Sequence, residues 1–256
     1  MSSTAAPRKS NSASPLPITE LTLRAFQGGN AIRVVAFFAT IPILAALIYL
    51  IGSGNESPRQ FLNATFQEFL ASRLIPIATL ILATNALGNE LEDRTMVYLV
   101  LKPISRLRIV VEKFLAVAIT GTALMSFGGT VAWLLVTRSS AAKHLDLLAA
   151  MMTASLFAVL AYGAIFMAVS LIVPRALLVG MLYTLVWEVT FASFLPGVRL
   201  ISVRHYVVSI FGHVLGEPAF MPSQAVGLVA STIVLLVTVA GALLLAAWRL
   251  RTMNLE

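Results

Sequence analysis

Residues Asn85 to Phe114 read N-A-L-G-N-E-L-E-D-R-T-M-V-Y-L-V-L-K-P-I-S-R-L-R-I-V-V-E-K-F. This is the only long charged segment between apolar blocks, and it holds nine of the chain's 29 Asp, Glu, Lys and Arg residues. The runs on either side are long enough, or nearly so, to cross a bilayer, which requires about 20 apolar residues per helix. The pattern predicts a water-exposed hairpin held between two membrane helices, where it would serve as a docking surface.

The composition of the whole chain is that of a membrane protein. Its 256 residues are 59% apolar and 11% charged, with a mean hydropathy of +0.91, whereas soluble domains carry about 25% charged residues. Cysteine is absent, which excludes disulfides, thiolate nucleophiles and Cys-ligated metals. The net charge of +7 is explained by positive residues flanking membrane spans. No nucleic-acid partner is expected.

The hydropathy pattern predicts an all-α integral membrane protein with six transmembrane helices. Residues 1–17 are expected to form a disordered tail, and 18–251 a single transmembrane domain. Residues 18–33 can form an amphipathic N-terminal interfacial helix, and the helical spacing of apolar residues in 196–223 predicts an extracytoplasmic surface helix before the last span. The expected spans are about 34–51, 69–87, 114–136, 147–173, 176–195 and 225–248.

The third expected span has a face of small residues. Gly121, Gly128 and Gly129 recur on it together with Ala118 and Ala132. Small side chains allow helix backbones to approach closely in membranes. The face predicts close packing against another helix, either within the chain or in a dimer.

The distribution of Lys and Arg orients the chain. If both termini are cytoplasmic, twelve of the 18 Lys and Arg residues lie in cytoplasmic segments and six lie outside. Positive residues accumulate in cytoplasmic loops. The two-to-one bias therefore places residues 88–113, the cytoplasmic hairpin, inside the cell.

The first half of the hairpin has the signals of a short helix. Asn89 can cap it, and its first turn would hold Glu90, Glu92 and Asp93, where the helix dipole favours carboxylates. Pro103 forbids helical continuation.

Ser105 is placed to cap a second helix that runs through Arg106 and Arg108 into the third span. On these local signals alone, a solvated loop with ordinary positive-inside residues remains an alternative to a structured hairpin.

The hairpin resembles the cytoplasmic segment of bacterial ABC transporter permeases of the type 2 exporter class. Their pattern is an acidic cluster, Gly-Thr or Arg-Thr, a short apolar run, Pro-Ile/Val-Ser-Arg, and a Lys entering the next span. Arg94 stands where many members have Gly, and the resemblance extends over about residues 18–251, including Trp187 and Glu188 of the fifth span. The hairpin positions that match are Glu90, Thr95, Pro103, Ser105, Arg106 and Lys113.

The resemblance implies a transmembrane permease subunit of an ATP-driven exporter in the bacterial inner membrane. It implies a cytoplasmic ABC ATPase that binds ATP and Mg and docks on the hairpin, and a second permease half that completes a homodimer or heterodimer. No cofactor is implied for this chain itself. The ATPase-coupling residues would be Glu90, Glu92, Asp93, Arg94, Thr95, Lys102, Pro103, Ser105 and Arg106.

The residues agree that this chain is not the ATPase. A Walker A loop requires Gly-Lys-Ser/Thr at its end, whereas the residues before the four lysines are Arg8, Leu101, Glu112 and Ala142. Motifs of intramembrane hydrolases are also missing, and the three histidines do not have metal-ligand spacing.

Two polar residues inside the expected spans are candidates for a translocation path. An ionisable residue within a span is costly, so Glu188 either acts in transport or makes a structural hydrogen bond. Asn85 could line the path or join neighbouring helices. Two other functions stay open: an ion-gradient-driven secondary transporter using Glu188, and a non-transporting membrane anchor for an ATPase.

Overall fold

A computed structural model describes residues 16–52, 57–88, 105–186, 200–222 and 224–253. These residues form helices and their connections, and no β-strand occurs among them. Five of the helices are long and apolar enough to cross a membrane. The predicted class, an all-α integral membrane protein, is therefore confirmed. The expected span 176–195 is described only as far as Val186.

The N-terminal part of the described chain forms two helices, α1 (Pro17–Gly28) and α2 (Asn30–Ile51). Gly29 separates them with extended backbone (φ −92°, ψ 162°), so the chain changes direction between the interfacial helix and the first span. The predicted amphipathic character of α1 is present, because Ile18 and Phe26 are buried whereas Arg24 and Gln27 are exposed.

The second span is longer than the predicted 69–87. One continuous helix, α3, covers Pro58–Leu87. Ser57 begins it with a capping box, in which its Oγ accepts a hydrogen bond from the Gln60 N–H at 3.3 Å and its own N–H donates to Gln60 Oε1 at 3.3 Å. The turns of Thr65–Leu74 and Thr84–Gly88 are wider than α-helical turns, with π-type hydrogen bonds.

The middle of the chain forms three further helices. The second leg of the hairpin runs directly into the third span, as the sequence predicted, so this helix begins eight residues before residue 114. A tight turn separates the fourth and fifth expected spans, 147–173 and 176–195, and Arg175 adopts the left-handed conformation there (φ 58°). The bounds are Arg106–Thr137 for α4, Leu145–Ile172 for α5 and Ala176–Val186 for α6.

The last part of the described chain holds α7 (Val203–Leu215) and α8 (Leu228–Thr252). The sequence predicted a helix on the membrane surface in the region of α7. The helix is present, but nine of its thirteen residues are buried, and it packs against α5 and α8. Since Val207, Ile210 and Phe211 are fully buried, α7 is packed into the bundle. Its position at the membrane surface stays a prediction.

The helices form an inner layer and an outer layer. α3, α4 and α5 are mostly buried in the protein, whereas α2 and α8 expose most of their apolar side chains. In a membrane such exposed apolar surface faces lipid. The small face of α4 is used within the chain, because a Cβ on Gly128 would lie 2.3 Å from the Ala39 carbonyl oxygen of α2.

Ion pairs join separated parts of the chain at the end of the bundle away from the hairpin. Arg59 of α3 pairs with Asp146 of α5 and with Glu217, the latter at 2.7 Å. Arg204 of α7 pairs with Glu68 of α3 at 2.9 Å. These contacts give the charged residues in the first half of α3 partners in other segments of the chain.

Candidate functional site

The structure describes the two legs of the hairpin where they leave the bundle, residues 84–88 and 105–113, which we call the hairpin base. Three of the predicted site residues lie in it: Asn85, Ser105 and Arg106. The others lie outside the described residues, namely Glu90, Glu92, Asp93, Arg94, Thr95, Lys102, Pro103 and Glu188.

Ser105 caps α4, as the sequence predicted. Its backbone is extended (φ −63°, ψ 137°), and its Oγ accepts a hydrogen bond from the Arg108 N–H at 3.3 Å. The Ser105 carbonyl accepts the first backbone bond of the helix, from Ile109 N–H at 3.2 Å. The cap fixes the residue at which the hairpin ends and the rigid helix begins.

Arg106 is the first residue of α4 and is half-buried. Its Nη1 is shielded from solvent and has no hydrogen-bond partner among the described residues. A buried guanidinium donor is costly when it is left unpaired.

Asn85 lies in the last turn of α3. Its Nδ2 donates to the Ile81 carbonyl at 3.0 Å, and the neighbouring Thr84 Oγ1 donates to the Leu80 carbonyl at 2.8 Å. Both bonds return to the same helix, which is how polar side chains are commonly satisfied in membrane helices. A role for Asn85 in a translocation path stays a prediction.

Glu112 of the hairpin base bonds to α1 as well as to its own helix. It is 1% exposed, and its Oε2 accepts hydrogen bonds from the backbone N–H groups of Ile18 at 2.8 Å and Thr19 at 3.4 Å. Its Oε1 accepts from Arg108 Nε at 2.6 Å, and its backbone carbonyl accepts from Thr19 Oγ1 at 2.9 Å. The carboxylate of α4 therefore caps the N-terminus of α1.

This cap supplies what the sequence around α1 lacks. The first N–H groups of a helix have no partner within the helix, and the N-cap residue Leu16 offers no side-chain acceptor. Pro17 has no N–H to satisfy, so the free donors of the first turn begin at Ile18. The negative carboxylate also lies at the positive end of the helix dipole, where it is stabilising.

Lys113 joins the two legs of the hairpin. It is 1% exposed, and its Nζ donates to the Ala86 carbonyl of α3 at 2.6 Å. A buried ammonium group requires such acceptors to offset the loss of its hydration. The legs are therefore held together by a charged hydrogen bond at the point where they enter the bundle.

Sequence reasoning did not assign a role to Glu112 and noted Lys113 only as part of a pattern. The available signal was the charged doublet itself, because ionisable residues at the start of a long apolar run are unfavourable unless they have partners. The partners could not be found locally, since Ile18 and Ala86 are 94 and 27 residues away.

The sequence profile of the family described as ABC-2 family transporter protein matches residues 30–195. The match spans more than half of the chain, including α2 to α6 and the hairpin. No curated protein is significantly similar to the chain. The chain therefore belongs to the ABC-2 transporter family, whose members are the membrane-embedded permease components of ABC transporters.

Proposed function

We propose that the chain is the permease subunit of an ATP-driven exporter, which couples ATP hydrolysis by a separate cytoplasmic ATPase to movement of a substrate across the inner membrane. Two such permease subunits, identical or similar, would enclose the path and bind two copies of the ATPase. Both termini and the hairpin would lie in the cytoplasm. ATP and Mg would be held by the partner subunit.

The observation that carries this proposal is the construction of the hairpin base. A force applied to the hairpin can move membrane helices only if its legs are stiff and tied to them. Ser105 begins a helix that continues without interruption to Thr137, and Lys113 ties that helix to α3. Displacement of the hairpin would therefore be transmitted together to α3 and α4, two of the three inner helices.

Arg106 supports a docking role for the hairpin. Its shielded Nη1 has no acceptor among the described residues, and a carboxylate or a carbonyl is the natural partner for a guanidinium donor. Arg106 is only half-buried, so part of its side chain stays open to such an acceptor on the ATPase surface. Arg residues of this kind are enriched among the residues that dominate interface energies.

The test is a purified complex. The chain is co-expressed with the ATPase encoded beside its gene, purified through a tag on the chain, and placed in lipid discs. We expect the ATPase to co-purify, and Arg106→Ala to lower transport-linked ATP hydrolysis by roughly tenfold or more, as for an interface Arg that dominates binding. Hydrolysis is measured by phosphate release.

Arg251→Ala is the matched control, because Arg251 is also basic and close to the hairpin end of the bundle but is exposed in the last turn of α8. It should leave hydrolysis unchanged. Full coupling in a triple variant, Glu90→Ala, Pro103→Ala and Arg106→Ala, would refute the role of the hairpin. Failure of any ATPase to co-purify with the unaltered chain would refute the assignment as an ATP-driven permease.

A further inference from the structure

The N-terminal helix packs its buried side on α4, and its two ends are attached in different ways. At its C-terminal end it meets α2 at Gly29, where the backbone is extended. At its N-terminal end it is held by Glu112 and by the Thr19 hydroxyl. The first attachment is a turn between two helices, and the second is a set of directional hydrogen bonds to the hairpin base.

The Glu112 attachment is the stronger of the two. Hydrogen bonds to an ionised group are roughly twice as strong as neutral ones, and this carboxylate is shielded from water. Breaking the contact would leave a buried carboxylate with fewer donors, which is costly. By contrast, glycine at the α1–α2 junction provides little resistance to a change of backbone angle.

Arg108 extends the same cluster toward the hairpin. Its Nε donates to Glu112 Oε1 while the side chain remains 52% exposed. Arg108 lies three residues after the cap of α4, so the residue that closes the hairpin and the carboxylate that holds α1 are separated by two turns of one rigid helix.

We propose that Glu112 is the positioning residue that makes α1 move as one body with the hairpin base, so that the ATPase displaces the N-terminal helix as well as α3 and α4. This inference rests on the proposed function. In this proposal α1 moves together with the hairpin base and turns relative to α2 at Gly29. Glu112 acts through hydrogen bonds to α1 and contacts neither nucleotide nor substrate.

The experiment measures whether α1 follows the hairpin base. The chain contains no cysteine, so spin labels can be placed on introduced cysteines without altering native residues. The three positions are Leu21→Cys on the exposed side of α1, Leu107→Cys on the hairpin base, and Lys143→Cys at the opposite end of the bundle. Two distances between spin labels are measured by double electron–electron resonance: from position 21 to position 143, and from position 107 to position 143. Each is measured in the ATPase complex with and without a non-hydrolysable ATP analogue.

In the unaltered chain we expect the nucleotide to shift both distances together. Glu112→Gln removes the charge. The fraction of molecules in which α1 is detached from the hairpin base should then rise by roughly tenfold. The 107–143 shift should then persist, while the 21–143 distribution broadens and loses its nucleotide-dependent shift. A purely structural role for Glu112 would not separate the two distances. Glu68→Gln is the control, since Glu68 is an ion-paired glutamate at the opposite end of the bundle.

Two results would overturn the inference while leaving the proposed function intact. In the first, the nucleotide changes the 107–143 distance of the unaltered chain but not its 21–143 distance. In the second, the two distances still change together in Glu112→Gln. Absence of both shifts in a complex that hydrolyses ATP would overturn the proposed coupling itself. Thr19→Val removes only the hydroxyl bond to the Glu112 carbonyl and replaces Glu112→Gln if that variant does not fold. It should reduce the nucleotide-dependent change of the 21–143 distance less strongly, and leave that of the 107–143 distance unchanged.

Discussion

Glu112 and Lys113 are adjacent in sequence, opposite in charge and equally buried, and yet they do not serve the same contact. The carboxylate holds α1, and the ammonium group holds the end of α3. Backbone groups of a different neighbour therefore offset part of the desolvation of each charge, and Glu112 also pairs with the side chain of Arg108. At the scale of single residues, these two contacts join three segments of the chain at the hairpin base: α1, the end of α3 and the start of α4.

The Lys113 contact predicts a loss of stability when the ammonium group is removed. Lys113→Met keeps the length of the side chain but leaves the Ala86 carbonyl without this donor. We expect the free energy of unfolding to fall by about 1.5–3 kcal/mol, the range for hydrogen bonds to charged groups. The measurement is thermal unfolding in lipid discs, monitored by tryptophan fluorescence.

Lys143→Met serves as the comparison for that variant, because Lys143 is exposed at the opposite end of the bundle. Its substitution should change stability little. Equal effects of the two substitutions would mean that the Lys113 bond contributes nothing specific to the hairpin base.

At the scale of elements, the contact between α2 and α4 depends on a missing side chain. A Cβ at Gly128 would lie 2.3 Å from the Ala39 carbonyl oxygen and 3.2 Å from its Cα, and both obstacles are backbone atoms that cannot rotate away. The two helices are therefore closer than any other residue at position 128 would permit. Gly180 differs, because a Cβ there would meet the flexible end of Leu80.

Gly128→Ala should force α2 away from α4 and lower the free energy of unfolding by about 1–3 kcal/mol, as overpacking does. Gly241→Ala in α8 is the matched substitution, because no atom lies within 4 Å of its Cβ position, and alanine there should be neutral or stabilising by about 0.5–1 kcal/mol. Thermal unfolding of the two variants side by side decides the matter. A Gly128→Ala protein as stable as Gly241→Ala would contradict the close approach.

At the scale of the whole molecule, the proposed topology can be tested with two equivalent residues. Ser57 and Ser105 are both exposed N-cap serines, one at the start of α3 and the other at the start of α4. With both termini and the hairpin in the cytoplasm, Ser57→Cys should react with an impermeant thiol reagent in intact cells. Ser105→Cys should react only after permeabilisation. The reverse pattern would invert the orientation.

Much of the fold could be predicted because its signals are local. Hydropathy identifies the spans, Ser105 is a recognisable cap, and the small face around Gly128 indicates close packing. The features that could not be predicted depend on partners far along the chain. Residues 58–68 lie outside the predicted second span, 69–87, and the pairing of Arg59 with Asp146 and Glu217 is not visible in the neighbouring sequence.

The candidate site divides in the same way. Its cap at Ser105 follows from the residue and its neighbours, and the family pattern points to the hairpin. The tie between Glu112 and α1 does not follow from either, because the N–H groups of Ile18 and Thr19 are unsatisfied donors of a kind that every helix start possesses. Only the folded bundle shows which acceptor reaches them.

The distance along the chain between α1 and its cap has a consequence for biosynthesis. Ile18 leaves the ribosome 94 residues before Glu112, so the N-terminal helix is synthesised without the carboxylate that completes its first turn. It can be completed only after the second span has entered the membrane and the third has begun to do so. Docking of α1 therefore reports that membrane insertion of the first half of the protein has reached the correct arrangement.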